Sequence, residues 1–202
     1  MNTKNNLKGF TLVELLIVIG ILAVLSTVVV LVLNPSQLFA QARDSQRISD
    51  LSSLNSAISF YLSTASTTVM DGNGGACTTK CWATPNTAPN SSANCGGRYT
   101  TGAAMSGASA TRTPGPTGWV PIDLRNATGG SPLSSLPVDP TNTGVTNLFY
   151  SYACDETNKT YELDANMEST RYASGGSDDK EAYDGGGSTT IYEIGTDPGL
   201  DL

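Results

Sequence analysis

The chain has 202 residues, with 18 acidic and 11 basic side chains, a net charge of −7 and no histidine. The missing histidine removes histidine-based acid–base catalysis and histidine metal ligation. The acidic balance speaks against a nucleic-acid binder held by phosphate contacts. The length fits one domain plus an anchor, and frequent glycine (21) and proline (10) predict long loops around a modest core.

The first predicted element is an apolar helix over Phe10–Leu33, whose only polar side chains are Thr11, Glu14, Ser26 and Thr27. At ~1.5 Å per residue it would be roughly 36 Å long, enough to cross a hydrocarbon core of about 30 Å. Lys4 and Lys8 precede it, so the positive-inside rule puts the C-terminal bulk on the outer side. A cleaved secretory signal does not fit: the apolar run is too long, and Leu31-Val32-Leu33-Asn34 offers no small-x-small cleavage site. A plain single-pass anchor accounts for the span but not for Glu14. A carboxylate in a spanning helix costs about 2.5–3.5 kcal/mol at the centre, less near an end, and needs a partner. The segment itself contains no basic residue.

The run "KGFTLVELL" (Lys8–Leu16) resembles the N-terminal signature of type IV prepilins and pseudopilins: a short basic leader, glycine, then Phe-Thr-Leu-x-Glu. Gly9, Phe10, Thr11, Leu12 and Glu14 fill those places. The resemblance implies cleavage between Gly9 and Phe10 by prepilin peptidase, a membrane aspartic protease, and N-methylation of Phe10 by the same enzyme. It gives Glu14 an assembly role. Its carboxylate neutralises the new Phe10 amine of a neighbouring subunit, and two charges that must pair in an apolar bundle favour one axial register.

Residues 34–63 come next. Pro35 removes the amide that would bond to Leu31, which predicts a kink. Leu38, Ala42, Ile48, Leu51, Leu54, Ala57, Ile58, Tyr61 and Leu62 then form a stripe of helical period. The expected helix runs from about Phe10 to Ser63, roughly 80 Å, with an amphipathic second half. Asp44–Arg47 and Arg47–Asp50 are opposite charges three apart and read as a solvated face. "QARDSQRISDLSSL" is similar to the run that follows the membrane half in pilin-like proteins, although Pro35 sits later than their kink proline.

Residues 64–118 have no period and read as a variable loop. Cys77, Cys81 and Cys95 lie in it, and Cys154 beyond it. In an exported head these four form disulfides, with three pairings open. Zinc would need two paired knuckles, and only Cys77 and Cys81 are closely spaced. A bridge from Cys154 to the loop would pin it.

Residues 119–202 read as a small β head. The predicted strands are Gly118–Leu124, placed at an edge by Pro121, the hairpin Asn147–Cys154 and Lys159–Met167 around "DETN", and a weaker Thr189–Gly195. "LPVDPTN" (Leu136–Asn142) is turn-rich. The fold class is therefore α+β, a long N-terminal helix packed on an antiparallel sheet. The run "LPVDPTN…FYSYACD…TYELDANME" is similar to the C-terminal half of secretion-type pseudopilins, which implies the pilin fold and leaves residues 64–118 unaccounted for. The expected organisation is a leader at 1–9, a membrane or filament-core helix half at 10–33, an amphipathic half at 34–63, the loop at 64–118 and the head at 119–202.

The end of the chain is acidic: from Asp139 onward there are 13 acidic and three basic side chains. Asp178, Asp179, Glu181 and Asp184 in "GGSDDKEAYDGGG" offer closely spaced oxygens among glycines, which suits calcium with its six to eight oxygen ligands. The stretch does not follow the EF-hand pattern. Some secretion pseudopilins bind calcium in a C-terminal loop, so the resemblance points the same way. The other reading is a solvated acidic loop.

These features describe a structural subunit, a major or minor pilin or a pseudopilin, that polymerises into a type IV pilus-like filament or a secretion pseudopilus. Its expected partners are further copies of itself, prepilin peptidase, an inner-membrane assembly platform, and membrane lipid before assembly. The expected location is the cytoplasmic membrane, single-pass with an extracytoplasmic head, and then a cell-surface filament. There is no nucleophile motif and no phosphate loop, so no enzyme is expected and no cofactor is required; calcium in the C-terminal loop is the one candidate ligand. The competing class is a monomeric membrane-anchored binding module with the variable loop as its recognition surface. The two differ in whether Gly9–Phe10 is cut and whether Glu14 is needed for multimers.

Overall fold

The computed structural model describes residues 9–72, 77, 80–84, 94–99, 104–108 and 111–202. The leader before Gly9, and the remaining parts of the expected 64–118 loop, lie outside the described residues. The chain forms two compact units, Met1–Phe39 and Ala40–Leu202.

In the first unit, helix α1 spans Leu12–Leu33 and ends at Asn34, whose φ of 39° and ψ of 78° are left-handed. Helix α2 (Pro35–Thr64) starts at the next residue. The expected single helix, kinked at Pro35, is thus two helices. Asparagine tolerates the left-handed region, and proline at a first helical position has no amide to lose and a preset φ. Asn34 serves both ladders. It ends α1, its carbonyl accepts the amides of Gln37 (3.0 Å) and Leu38 (3.4 Å), and its side chain accepts the Ser36 hydroxyl at 2.7 Å. The large apolar side chains described on α1 are exposed on every side. Ser26 and Thr27 turn their hydroxyls to the carbonyls of Leu22 (2.7 Å) and Ala23 (3.0 Å), which hides their polarity.

In the second unit, α2 buries Leu51, Leu54, Ala57, Ile58 and Tyr61 of the predicted stripe, together with Ala40, which lay outside it, while Leu38 and Ala42 of the stripe are exposed. Among the described residues five strands follow: β1 (Lys80–Ala83), β2 (Ala104–Ala108), β3 (Ser151–Asp155), β4 (Thr160–Ala165) and β5 (Tyr192–Gly195). The sheet order is β2-β1-β3-β4-β5. It is antiparallel from β1 through β5, with β2 parallel to β1 at the edge. Side chains alternate between faces. Trp82, Tyr152, Cys154, Tyr161, Leu163 and Ala165 join the α2 residues in the main core. The Trp82 and Tyr152 rings lie 5.7 Å apart, and Tyr152 and Tyr161 6.4 Å. The other face is covered by a smaller cluster of Cys81, Ala83, Cys95, Tyr99, Phe149 and Ala153, with Leu202 against it.

The predicted hairpin is β3–β4. Its turn is held by Asp155, which accepts the amides of Thr157 (2.7 Å) and Asn158 (3.2 Å). The weak last strand narrows to β5. Two expectations change. Gly118–Leu124 is no strand: Trp119, Val120, Ile122 and Leu124 are all buried as an irregular segment closing the core. Pro121 cannot donate to a ladder, and Trp119 Nε1 instead donates to the Pro137 carbonyl at 2.8 Å. The 64–118 stretch contributes β1 and β2 to the sheet rather than lying wholly outside it. The open cysteine pairing resolves into Cys77–Cys154 and Cys81–Cys95.

Candidate functional site

The candidate site is the amino-terminal segment. Gly9 and Phe10 precede the helix; both are exposed, Phe10 by 88%. A Cβ at Gly9 would meet nothing within 4 Å. Nothing in the described chain therefore demands glycine there on packing grounds. Thr11 is the N-cap of α1. Its hydroxyl accepts the Glu14 amide at 3.2 Å, while Glu14 Oε2 accepts the Thr11 amide at 2.8 Å and the Thr11 hydroxyl at 2.7 Å. This reciprocal box satisfies donors that the first helical turn leaves open. The pattern Thr-x-x-Glu signals it in the sequence, yet a reading centred on intersubunit charge passes over it. Glu14 is also the one ionisable side chain of α1, and among the described residues no cation pairs with it.

A second constellation fixes the rest of α2 within the globular unit. Asp44 and Arg47, expected on a solvated face, are fully buried. Arg47 Nη1 donates to Asp44 Oδ1 at 2.7 Å, and Nε and Nη2 grip both oxygens of Asp139. Asp44 also accepts the amides of Glu168 (2.9 Å) and Ser169 (2.8 Å). Burial works against the Arg47 charge, but its bonds to Asp139 and Asp44 outweigh that and raise its pKa. Arg43 pairs with Glu168 beside them and holds that carboxyl below its ordinary value. The solvated reading fails because Asp139 and the chain after β4 cover this side of the helix.

The four acids considered for calcium each have protein partners. Asp178 pairs with Lys180 (2.8 Å) and Arg171 (3.3 Å). Asp179 accepts the amides of Gly175 (2.7 Å), Ala182 (2.9 Å) and Glu181 (3.0 Å). Glu181 accepts those of Met167 (2.7 Å) and Ser174 (2.8 Å), and Asp184 those of Glu193 (2.6 Å) and Gly186 (2.9 Å). The described acids that converge within 4.8 Å are a different set, Glu162, Asp164 and Glu193. Their spacing in "TYELDA" and "YEIG" looks like the outer face of a half-buried sheet, so nothing local marks them.

With this geometry in place, comparison adds one finding. A family model described as the prokaryotic N-terminal methylation motif matches residues 4–30. The chain thus carries a prepilin-type cleavage and methylation motif, typical of type IV pilins and pseudopilins. Its fold is α+β and pilin-like, with long N-terminal helices, the first part apolar, and an antiparallel sheet. The motif implies a pilin-like, structural protein that prepilin peptidase processes, and its apolar helix, Leu12–Val30 being long enough to cross a membrane, suggests anchoring before assembly. No curated protein and no solved structure matches the chain significantly.

Proposed function

We propose that this chain is a filament subunit, a pilin or pseudopilin. Prepilin peptidase cuts it between Gly9 and Phe10 and methylates Phe10, and an inner-membrane platform then adds it to a growing bundle. The observation that carries the reading is α1: an apolar rod exposed on all sides, with one carboxylate a single turn behind the cleavage motif. In lipid such a surface needs no protein partner; drawn out of lipid it needs other copies of itself. The cut creates an ammonium on Phe10. Glu14 of a neighbour is the group that can neutralise it inside the bundle, since an unpaired charge there is costly. The head stays on the outer side of the cytoplasmic membrane and then on the filament surface.

The test is mass spectrometry of surface-sheared filaments. The mature chain begins at N-methyl-Phe10, and Gly9→Val leaves uncut protein in the membrane. Surface-assembled protein that still begins at Met1 overturns the reading. A monomeric anchored module would tolerate loss of both the cut and Glu14.

Calcium in the Asp178–Asp184 loop is a further proposal, supported by its acids and glycines. Binding to the native state alone adds RT ln(1 + [L]/Kd), about 2.7 kcal/mol at a hundredfold excess over Kd. A calcium-specific rise in melting temperature that is smaller in Asp178→Ala/Asp179→Ala than in wild type supports it; an unchanged rise in that variant, or an equal response to magnesium, removes it.

A further inference from the structure

The sheet face turned away from α2 holds three carboxylates that take no part in the amino-terminal site. Glu162 and Asp164 lie two apart on β4, so they share a face, and Glu193 on β5 is the direct cross-strand partner of Asp164. One oxygen from each lies within 4.8 Å of the others. All three are buried, at 1%, 0% and 3% exposure.

Their partners do not satisfy them. Glu162 Oε2 accepts the Leu202 amide at 3.0 Å, and Glu193 Oε2 the Ser188 amide at 2.9 Å. Among the described residues no donor in hydrogen-bond geometry reaches either oxygen of Asp164, which sits between them with the Tyr99 hydroxyl, itself without a partner, beside it. Like charges directly opposite on paired strands repel, and burying an unpaired carboxylate is expensive. The nearby cation is Arg98, also buried. Its two Nη atoms donate to the carbonyls of Asn147 (2.6 Å), Phe149 (2.8 Å) and Asp164 (3.3 Å), to Ser151 Oγ and to Asn166 Oδ1, while its buried Nε has no partner among the described residues. It also stacks on the Phe149 ring at 3.7 Å. It bonds to none of the three carboxylates.

We propose that Glu162, Asp164 and Glu193 form a divalent-cation site suited to calcium. The donor set is carboxylate oxygen alone, the chemistry of hard cations rather than zinc or copper. Calcium accepts such oxygens in flexible, irregular geometry, whereas magnesium demands a tighter octahedron. The charge closes: a doubly positive ion and Arg98 together balance three carboxylates. A cavity of about 290 Å³, lined in part by Arg98, Ser188, Glu193, Leu200 and Asp201, adjoins the cluster and gives room for water ligands. The ion would fasten β5 and the Leu202 segment to β4. This site is separate from the Asp178–Asp184 loop and does not depend on filament formation.

The test uses the full chain in detergent, stripped with chelator and titrated with calcium chloride by calorimetry at neutral pH, with magnesium chloride as control. Wild type takes up calcium and its melting temperature rises. Asp164→Asn and Glu193→Gln, each nearly isosteric, weaken calcium binding on the order of tenfold or more, because affinity follows ligand charge. Asp178→Ala/Asp179→Ala leaves that binding in place. Far-UV circular dichroism checks folding; should Asp164→Asn not fold, Glu193→Gln at the cavity rim decides alone. Failure of the folded wild type to bind calcium overturns the proposal. So does binding that survives Glu193→Gln, that magnesium matches, or that only the Asp178/Asp179 variant abolishes.

Discussion

Arg47 of α2 and Asp139, 92 residues later, are joined at two points: Nε to Oδ2 at 2.6 Å and Nη2 to Oδ1 at 3.0 Å, with both side chains fully buried. Asp139 in turn accepts the amides of Thr141 (2.7 Å) and Asn142 (3.0 Å). The planar fork of arginine fits a carboxylate in this way and lysine does not. The pair sets the register of α2 against the chain that leads into β3.

Removing one partner of such a pair leaves the other charged and buried. Arg47→Met therefore lowers the stability of the globular unit by about 3–5 kcal/mol, and Arg47→Lys falls between it and wild type. Denaturant unfolding of the full chain, followed by the fluorescence of buried Trp119, measures this. A change within 0.5 kcal/mol, about the size of an ordinary surface substitution, would show that the pair is dispensable.

The proposed assembly role gives Glu14 a duty separable from its place in the capping box. Glu14→Gln keeps an N3 acceptor for the capping box but removes the charge; Thr11→Val removes the box and keeps the charge. Counts of sheared filaments should fall for Glu14→Gln and fall further for Glu14→Val. Thr11→Val should insert and assemble, with a fraying first turn that costs about 1 kcal/mol. Equal loss in Thr11→Val and Glu14→Gln would assign the defect to the helix start instead of the charge.

Glu168 gives a pH signature. Its bond to Arg43 lowers its pKa in the fold, so the unfolded chain takes up that proton first as pH falls. The contribution is complete above the unfolded value, about pH 4.3, and is lost as pH drops through the lower folded value. Glu168→Gln is less stable at neutral pH, and its stability falls less between pH 5 and pH 2. Parallel acid limbs for the two chains would contradict this.

The disulfides close loops of different length, 77 and 14 residues in separation. On the chain-entropy description the Cys77–Cys154 bridge contributes about 4.5 kcal/mol and the Cys81–Cys95 bridge about 3 kcal/mol. Paired serine substitutions, Cys77→Ser/Cys154→Ser against Cys81→Ser/Cys95→Ser, measured by denaturant melts, should show the larger loss for the first. The reverse order would mean that Cys95, packed with Tyr99 and Phe149, matters more through packing than through closure.

What could be read from the sequence was local. The apolar run, the helical stripe and the β3–β4 hairpin each carry their own period and turn residues. The Thr11–Glu14 box is local too, carried by the Thr-x-x-Glu spacing. The missed features depend on distant partners. Asp44 and Arg47 look solvated until Asp139 and Glu168 arrive beside them. Glu162, Asp164 and Glu193 alternate with apolar neighbours like an outer face, because the segment around Cys95–Tyr99 that covers them has no periodic signature. β1 is four residues long and is recognisable only through its partners β2 and β3.

The two bridges are nested: the second and third cysteines pair with each other inside the loop closed by the first and fourth. A chain exported amino end first presents Cys77 and Cys81 to the oxidant together, well before Cys154 emerges. Pairing by order of arrival would join those two and leave Cys95 to the later Cys154, a non-native set. Correct maturation therefore requires either that oxidation wait for the sheet to assemble or that a thiol reopen the early bond, which makes the oxidative folding machinery of the exporting compartment a determinant of how much competent subunit is available to assemble.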